Sequence, residues 1–347
     1  MKKLVLVAVW WVGVTFITLV VVEYCLRVFA PLRMTGGYIG AYQYDSELGY
    51  RLKEGYWTVT TDYKQEVQVN RMGSVNAQTD FSQYRFLVFS LGDSYTQGTG
   101  LPLDGSYPAQ LDLLLNMDNG RYGRRYGVVN LGLAAYGGEQ SLIVYQRFKE
   151  LVGVPRFILY FGCDNDAEDD DLFKAGYKHQ YLVEGNPRYG MWQRPLAWLI
   201  HDTELGKRAN YIRGMRVRGK AARMRGEEKG PVAQAPSVAQ RQERHLVWLK
   251  NEAFNIGATL IVSWANDPNY SRSYSWMHQW ALENGVAFAD WYPAVESVLA
   301  AMPLLPLAND HSGGHYRIWV NSLITAEFGR HVISAGTRQP GESTPTP

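Results

Sequence analysis

Two observations predict an α/β fold built on a mostly parallel sheet. From Arg85 to Ile333, short apolar runs of strand length alternate with stretches of helical periodicity, the pattern left by parallel strands joined through crossover helices. The turn Gly92-Asp93-Ser94-Tyr95-Thr96-Gln97-Gly98-Thr99-Gly100 follows directly on the apolar run Arg85–Leu91, and so presents a hydroxyl at the C-terminal edge of a strand, where open α/β sheets build their sites. Its small residues permit a tight turn into a helix start, at which backbone N–H groups converge near the serine oxygen. Ser94 is therefore the candidate nucleophile beside an oxyanion hole.

Composition bounds the rest. The chain has 347 residues, 46% hydrophobic and 20% charged, which suits one large folded domain with appendages. A net charge of +2 and the lack of any zinc-finger, RRM-like or helix-turn-helix signature argue against a nucleic-acid partner. The two cysteines, Cys25 and Cys163, are not expected to form a disulfide, because the first lies beside an apolar N-terminal segment.

Residues 1–33 read as a membrane anchor. Lys2 and Lys3 precede the uncharged run Leu4–Val22, long enough for a spanning helix, and Glu23-Tyr24-Cys25-Leu26-Arg27 follows instead of an Ala-x-Ala cleavage site. The basic end is expected on the cytoplasmic side. In a bacterium this predicts a single-pass inner-membrane protein with its remaining chain in the periplasm; a cleaved signal peptide is the alternative.

Residues 34–84, with glycines at 36, 37, 40 and 49 among alternating aromatic and polar positions such as Tyr56–Thr60, predict a linker and a small β-rich element. No catalytic residue is expected there. From residue 85 to 334 the predicted domain runs strand Phe86–Leu91, helix Tyr107–Leu115, strand Gly127–Leu131, helix Gln140–Leu151 and strand Phe157–Phe161. It resumes with helix Ala239–Phe254, strand Ala258–Ser263, helix Tyr274–Asn284, strand Val286–Ala289 and helix Arg317–Ile333. Between these halves, residues 167–236 read as an insertion: acidic at first, then aromatic with Trp192 and Trp198, then nine basic residues over Lys207–Lys229, then a flexible Gly230–Ser237 portion. The basic stretch suits either anionic lipid or glycan or a solvated helical face. Residues 335–347 read as a disordered tail.

Several further features bear on chemistry. His179, His201, His245, His278 and His331 lack a metal-ligand spacing. Gly98-Thr99-Gly100 lacks the lysine and spacing of a phosphate loop. No cofactor and no metal is expected. The acidic run Asp164, Asp166, Glu168, Asp169, Asp170, Asp171 does not follow EF-hand spacing and reads as a solvated loop.

Gly92-Asp93-Ser94-Tyr95-Thr96, Asn130 through Gly137, and Gly162-Cys163-Asp164-Asn165-Asp166 resemble blocks of the SGNH/GDSL-type serine hydrolases, in particular membrane-anchored bacterial members. The resemblance covers roughly residues 85–166 and 239–330. It implies a three-layer α/β/α flavodoxin-like sandwich with a mostly parallel sheet, the SGNH hydrolase fold. It implies Ser94 as nucleophile and an oxyanion hole made of the N–H groups of Ser94 and Ala135 with the side chain of Asn165. Ala135 stands where the family often has Gly, and Asn165 is one residue further from its Gly than in the shortest family form.

The last block departs from the family pattern. Instead of Asp-x-x-His the chain has Asn309-Asp310-His311-Ser312-Gly313-Gly314-His315-Tyr316. His315 is the expected base, because the residues after it, through Asn321, resemble those that follow the family's histidine; His311 is the alternative. Asp310 is the acid near enough in sequence to orient either ring, and a backbone carbonyl is the fallback. The resemblance implies a serine esterase working through an acyl-enzyme on O-acyl esters, O-acetyl among them, of an envelope or exported glycan or lipid. An O-acyltransferase using the same site and a catalytically silent envelope scaffold or glycan-binding protein stay open as alternatives.

Overall fold

The computed structural model describes residues 2–30, 41–59, 66–117 except 77 and 79, 125–180, 183, 185–187, 199, 203–206, 208–209, 212, 237–269, 271–308 and 314–336. Four short strands make two antiparallel hairpins: β1 (Tyr42–Asp45) with β2 (Gly49–Leu52), and β3 (Trp57–Val59) with β4 (Glu66–Gln68). Five more, β5 (Phe86–Gly92), β6 (Tyr126–Asn130), β7 (Phe157–Gly162), β8 (Thr259–Trp264) and β9 (Ala287–Phe288), form a parallel sheet in the order β6-β5-β7-β8-β9. Every residue of β7 is buried, as expected of a strand covered on both faces.

The order is that of flavodoxin-like doubly wound sheets, which turn back on themselves between the first and third strands of the sheet, here β5 and β7. Chain direction reverses its winding there, and open α/β sheets bind their ligands beyond the strand ends at such a point. The register pairs Gly92 with Phe161 and Gly162 with Trp264, so the three central strands finish nearly level. The turns that follow them share one edge.

Helices cover both faces. Leading the chain are α1 (Lys2–Phe29), α2 (Ser94–Gln97), α3 (Tyr107–Leu115), α4 (Gly138–Val152) and α5 (Asp166–Lys174). They are followed by α6 (Val238–Arg241), α7 (Glu243–Ile256), α8 (Arg272–Glu283), α9 (Tyr292–Ala301) and α10 (Ile318–Gly336). On one face α3 and α10 pack together: Tyr107 stacks on Phe328 at 5.2 Å, and both rings meet Phe161 of β7 edge-on. On the other face Tyr145 of α4 lies edge-on to Phe89 of β5 and to Trp248 of α7. Fully burying one such ring stabilises the fold by about 1.5–3 kcal/mol. The result is a three-layer α/β/α sandwich with a mostly parallel sheet.

Helix α1 contains Val5–Phe29, long and apolar enough to cross a membrane, and none of that span is buried; a signal sequence would meet the same test. Near its end Glu23 accepts the backbone N–H groups of Glu204 and Leu205 at 2.8 and 3.0 Å, and Arg208 donates to the Ala30 carbonyl.

The β-rich element shares the core of the sandwich through Leu48, Tyr50, Leu52, Val67 and Phe81. It also closes the free edge of the sheet. Asn76 donates to the Val128 carbonyl at 2.9 Å and accepts the Asn130 N–H at 2.7 Å, while Asp112 of α3 accepts the Val128 N–H at 3.2 Å. Side chains thus replace the missing neighbour strand, which leaves β6 unavailable for edge pairing.

Several elements differ from the sequence reading. The acidic run is not a solvated loop: residues 166–174 form α5, and Asp166, Asp169 and Asp170 are buried on it. The predicted helix Ala239–Phe254 is two helices, α6 and α7, joined at Gln242. Helix α9 was not anticipated; Pro293 in its first turn was the available signal. Helix α10 continues to Gly336, two residues into the stretch read as a tail. Gly36, Gly37, Gly40, Trp192, Trp198, His201, Asp310, His311, most of Lys207–Lys229 and residues 337–347 lie outside the described residues. Cys25 is an exposed and Cys163 a buried free cysteine.

Two stability measurements follow from this packing. Asn76→Ala strands two buried backbone groups and is expected to cost about 2–4 kcal/mol in chemical denaturation; a loss under 0.5 kcal/mol would contradict the edge-capping role. His245, buried against Gln242 and near Asp170, is lowered by burial to about 4 from an ordinary 6.5. The folded chain keeps His245 neutral where the unfolded chain protonates it, so stability falls as pH drops from about 6.5 to 4. Denaturation midpoints should fall less steeply over that window in His245→Gln.

Candidate active site

Helix α2 begins one residue after β5 ends. Asp93 caps it, its Oδ1 accepting the Tyr95 N–H at 2.9 Å, which is the ordinary way a short side chain satisfies a helix's first donors. Ser94 is the first helical residue, so its own N–H has no intrahelical acceptor. Its side chain is buried to 9% exposure and its Oγ lies 2.7 Å from Nε2 of His315. Asp93 Oδ2 lies 3.3 Å from the same oxygen. A hydroxyl within hydrogen-bond reach of an imidazole nitrogen is the geometry of a serine nucleophile and its base.

Ring packing and the bonds of its chain neighbours hold His315 in place. Its ring packs against Tyr95 at 5.0 Å, and Tyr95 packs in turn on Tyr316 at 5.1 Å. A bridge between Ala308 and Tyr316, with the Arg317 N–H donating to the Leu307 carbonyl at 2.9 Å, closes the base of the loop that carries the histidine. Tyr316 donates to the Ala265 carbonyl at 2.6 Å at the end of β8. His315, the expected base, is brought to Ser94. Asp310 and His311 lie outside the described residues.

The loop after β6 supplies the next group. Gly132 lets it approach α2: a Cβ there would lie 2.4 Å from the Gln97 nitrogen and 2.5 Å from Thr96 Cβ. Ala135 has φ +61°, a left-handed conformation that no other non-glycine residue adopts among the described residues, at a cost of about 1–2 kcal/mol. Around it the backbone is bonded throughout. The Ala134 N–H donates to Gln97 Oε1 at 2.7 Å, the Ala134 carbonyl accepts from Tyr50 Oη at 2.8 Å, and the Ala135 carbonyl accepts from Lys178 Nζ at 2.6 Å. No acceptor for the Ala135 N–H occurs among the described residues. Sequence reasoning missed Gln97, Tyr50 and Lys178, and nothing in their local sequence marks them.

Asn165 is the residue before α5, three residues beyond the end of β7. Its amide donates to Asp169 Oδ2 at 2.7 Å and also acts on the Asp93 carboxylate. In this structure it faces the acids behind Ser94. Burial pushes the Asp93 carboxyl up, against the opposing pull of the Tyr95 N–H and of His315. Asp166 is pushed well up by burial and by Asp93; its Oδ2 accepts from Tyr160 and the Cys163 N–H at 3.0 and 3.1 Å. Burial likewise raises the Cys163 thiol, which keeps it protonated and a poor nucleophile. No group of three or more His, Cys, Asp or Glu side chains placed to hold a metal occurs among the described residues.

No family model and no curated protein matches the chain. Solved structures similar to it include a member of the lipolytic G-D-S-L family from Veillonella parvula, 10% identical over 73% of this chain and 100% of that one, with a TM-score of 0.38. A psychrotrophic esterase from Pseudoalteromonas sp. is 12% identical over 73% and 99%, with a TM-score of 0.39. An acetylxylan esterase from Geobacillus stearothermophilus is 15% identical over 72% and 94%, also with a TM-score of 0.39. At identities and scores this low the likeness carries no weight for function, which rests on the geometry around Ser94.

Asn165→Ala measures what its amide does. A role as oxyanion donor predicts a fall in kcat for an activated ester of about 10²–10³ with KM little changed. A fall under tenfold would limit Asn165 to holding Asp93 and Asp169.

Proposed function

We propose that the chain is a serine esterase of the SGNH/GDSL type, working through an acyl-enzyme. The 2.7 Å approach of His315 Nε2 to Ser94 Oγ at the C-terminal edge of a parallel sheet carries this reading. His315 takes the proton as Ser94 Oγ attacks the ester carbonyl, then returns it to the leaving alcohol. The N–H groups of Ser94 and Ala135 hold the oxyanion, with Asn165 as third donor. Water, deprotonated by the same imidazole, attacks the acyl-enzyme and restores Ser94. Asp310 is the acid proposed to orient His315.

The substrate reading rests on chain organisation. An apolar N-terminal helix preceded by two lysines supports an inner-membrane anchor that leaves the catalytic part in the periplasm. Esters accessible there are acyl groups, O-acetyl among them, on envelope or exported glycans and lipids.

The test uses the full chain in detergent. A fluorophosphonate probe is expected to label the wild type and not Ser94→Ala, and turnover of p-nitrophenyl acetate is expected to fall roughly 10⁴-fold or more in that variant. A folded wild type that neither labels nor turns over would overturn the reading. Comparing acyl release into water with transfer to an added glycan separates a hydrolase from a transferase.

A further inference from the structure

Lys178 is fully buried, at 0% exposure, and no step of the proposed reaction uses it. Burying an ammonium costs several kcal/mol unless an opposite charge and hydrogen bonds compensate, so the groups it touches show what it is kept for. Its Nζ donates to Asp169 Oδ1 and to the Ala135 carbonyl, each at 2.6 Å. The other Asp169 oxygen accepts the Asn165 amide at 2.7 Å. One ion pair thus reaches both the loop after β6 and the residue that opens α5.

Ala135 needs such a hold. Its left-handed conformation is unfavourable for a residue with a Cβ; its N–H lies in the peptide plane it shares with the Ala134 carbonyl, and its φ and ψ are set by that plane together with the one that carries the Ala135 carbonyl. Tyr50 fixes the first through the Ala134 carbonyl, and Lys178 fixes the second through the Ala135 carbonyl. Lys178 is itself seated by the start of β2. Gly49, at φ +83°, comes so close that a Cβ would lie 2.8 Å from the Lys178 carbonyl carbon and oxygen.

We propose that the Lys178–Asp169 ion pair positions the oxyanion site, holding Ala135 in the left-handed conformation that frees its N–H and setting the Asn165 amide through the same carboxylate. Lys178 and Asp169 are positioning residues, and their role rests on the reading of Ser94 as an acyl-transfer nucleophile. The β-rich element becomes part of the machinery, since it seats the lysine.

The test compares Lys178→Met/Asp169→Leu with the wild type as full chains in detergent. Removing both charges together avoids stranding one of them, and apolar replacement of a buried pair is commonly tolerated. The double variant is expected to melt close to the wild type, to keep KM for p-nitrophenyl acetate within about threefold and to lose about 10²-fold in kcat, the size of one oxyanion donor. Adding Ala135→Gly should recover roughly tenfold, because glycine reaches positive φ without the Cβ penalty. A purely structural ion pair predicts no such recovery. Unchanged kcat in the folded double variant, or a loss that Ala135→Gly leaves untouched, would overturn the proposal. A second readout does not depend on activity. With ¹³C-labelled alanine, and the Ala135 signals assigned by their disappearance in Ala135→Gly, the Ala135 carbon shifts should leave the left-handed range in the double variant. Shifts that stay put would overturn the positioning role. A wild type without esterase activity whose Ala135 shifts do move with the ion pair would overturn the proposed reaction and leave the positioning role standing.

Discussion

The geometry around Ser94 depends on the parallel register of β5 with β7. Because Gly92 lies opposite Phe161, the two strands end almost level, and Ser94 and Asn165 stand within a few residues of those ends at the point where the sheet reverses its winding. A slip of one residue would turn Phe89 away from Tyr145 and Phe161 away from Tyr107 and Phe328, since side chains alternate between the two faces of a strand. The energy that keeps the site aligned is therefore the burial of aromatic rings on both faces of the sheet.

Behind the serine the described residues bury more acids than bases. Asp93, Asp166, Asp169 and Asp170 are buried there, and Lys178 is the buried ammonium among them. Burial favours the neutral carboxyl at Asp93, Asp166 and Asp170, while Asp169 is matched by Lys178 at 2.6 Å. Desolvation and one ion pair together limit the negative charge buried behind Ser94.

Much of this was legible in the sequence. The strands and the Ser94 turn follow from apolar runs ended by small residues, which are local signals; Ala135 and Asn165 were singled out only by the resemblance to the SGNH/GDSL-type blocks. The approach of His315 to Ser94 was not legible, because spacing along the chain does not show that Tyr316 is bridged to Ala308 and that the histidine is packed by Tyr95. The acidic run looked solvated because the partners of its side chains are remote. Gln242 and Arg241 arrive from the other side of the insertion to meet Asp170 and Asp171. Likewise the contributions of Tyr50 and Asn76 depend on partners more than fifty residues away.

By itself the sequence determined the α/β class, the N-terminal apolar helix and a serine at a strand's end, because each is written in neighbouring residues through periodicity or turn chemistry. Only the tertiary structure decided that His315 meets that serine, that an alanine holds a left-handed conformation with its N–H unbonded among the described residues, and that a buried lysine joins the loop after β6 to α5. These last are contacts between groups far apart in the chain, and packing alone brings such groups within hydrogen-bond distance.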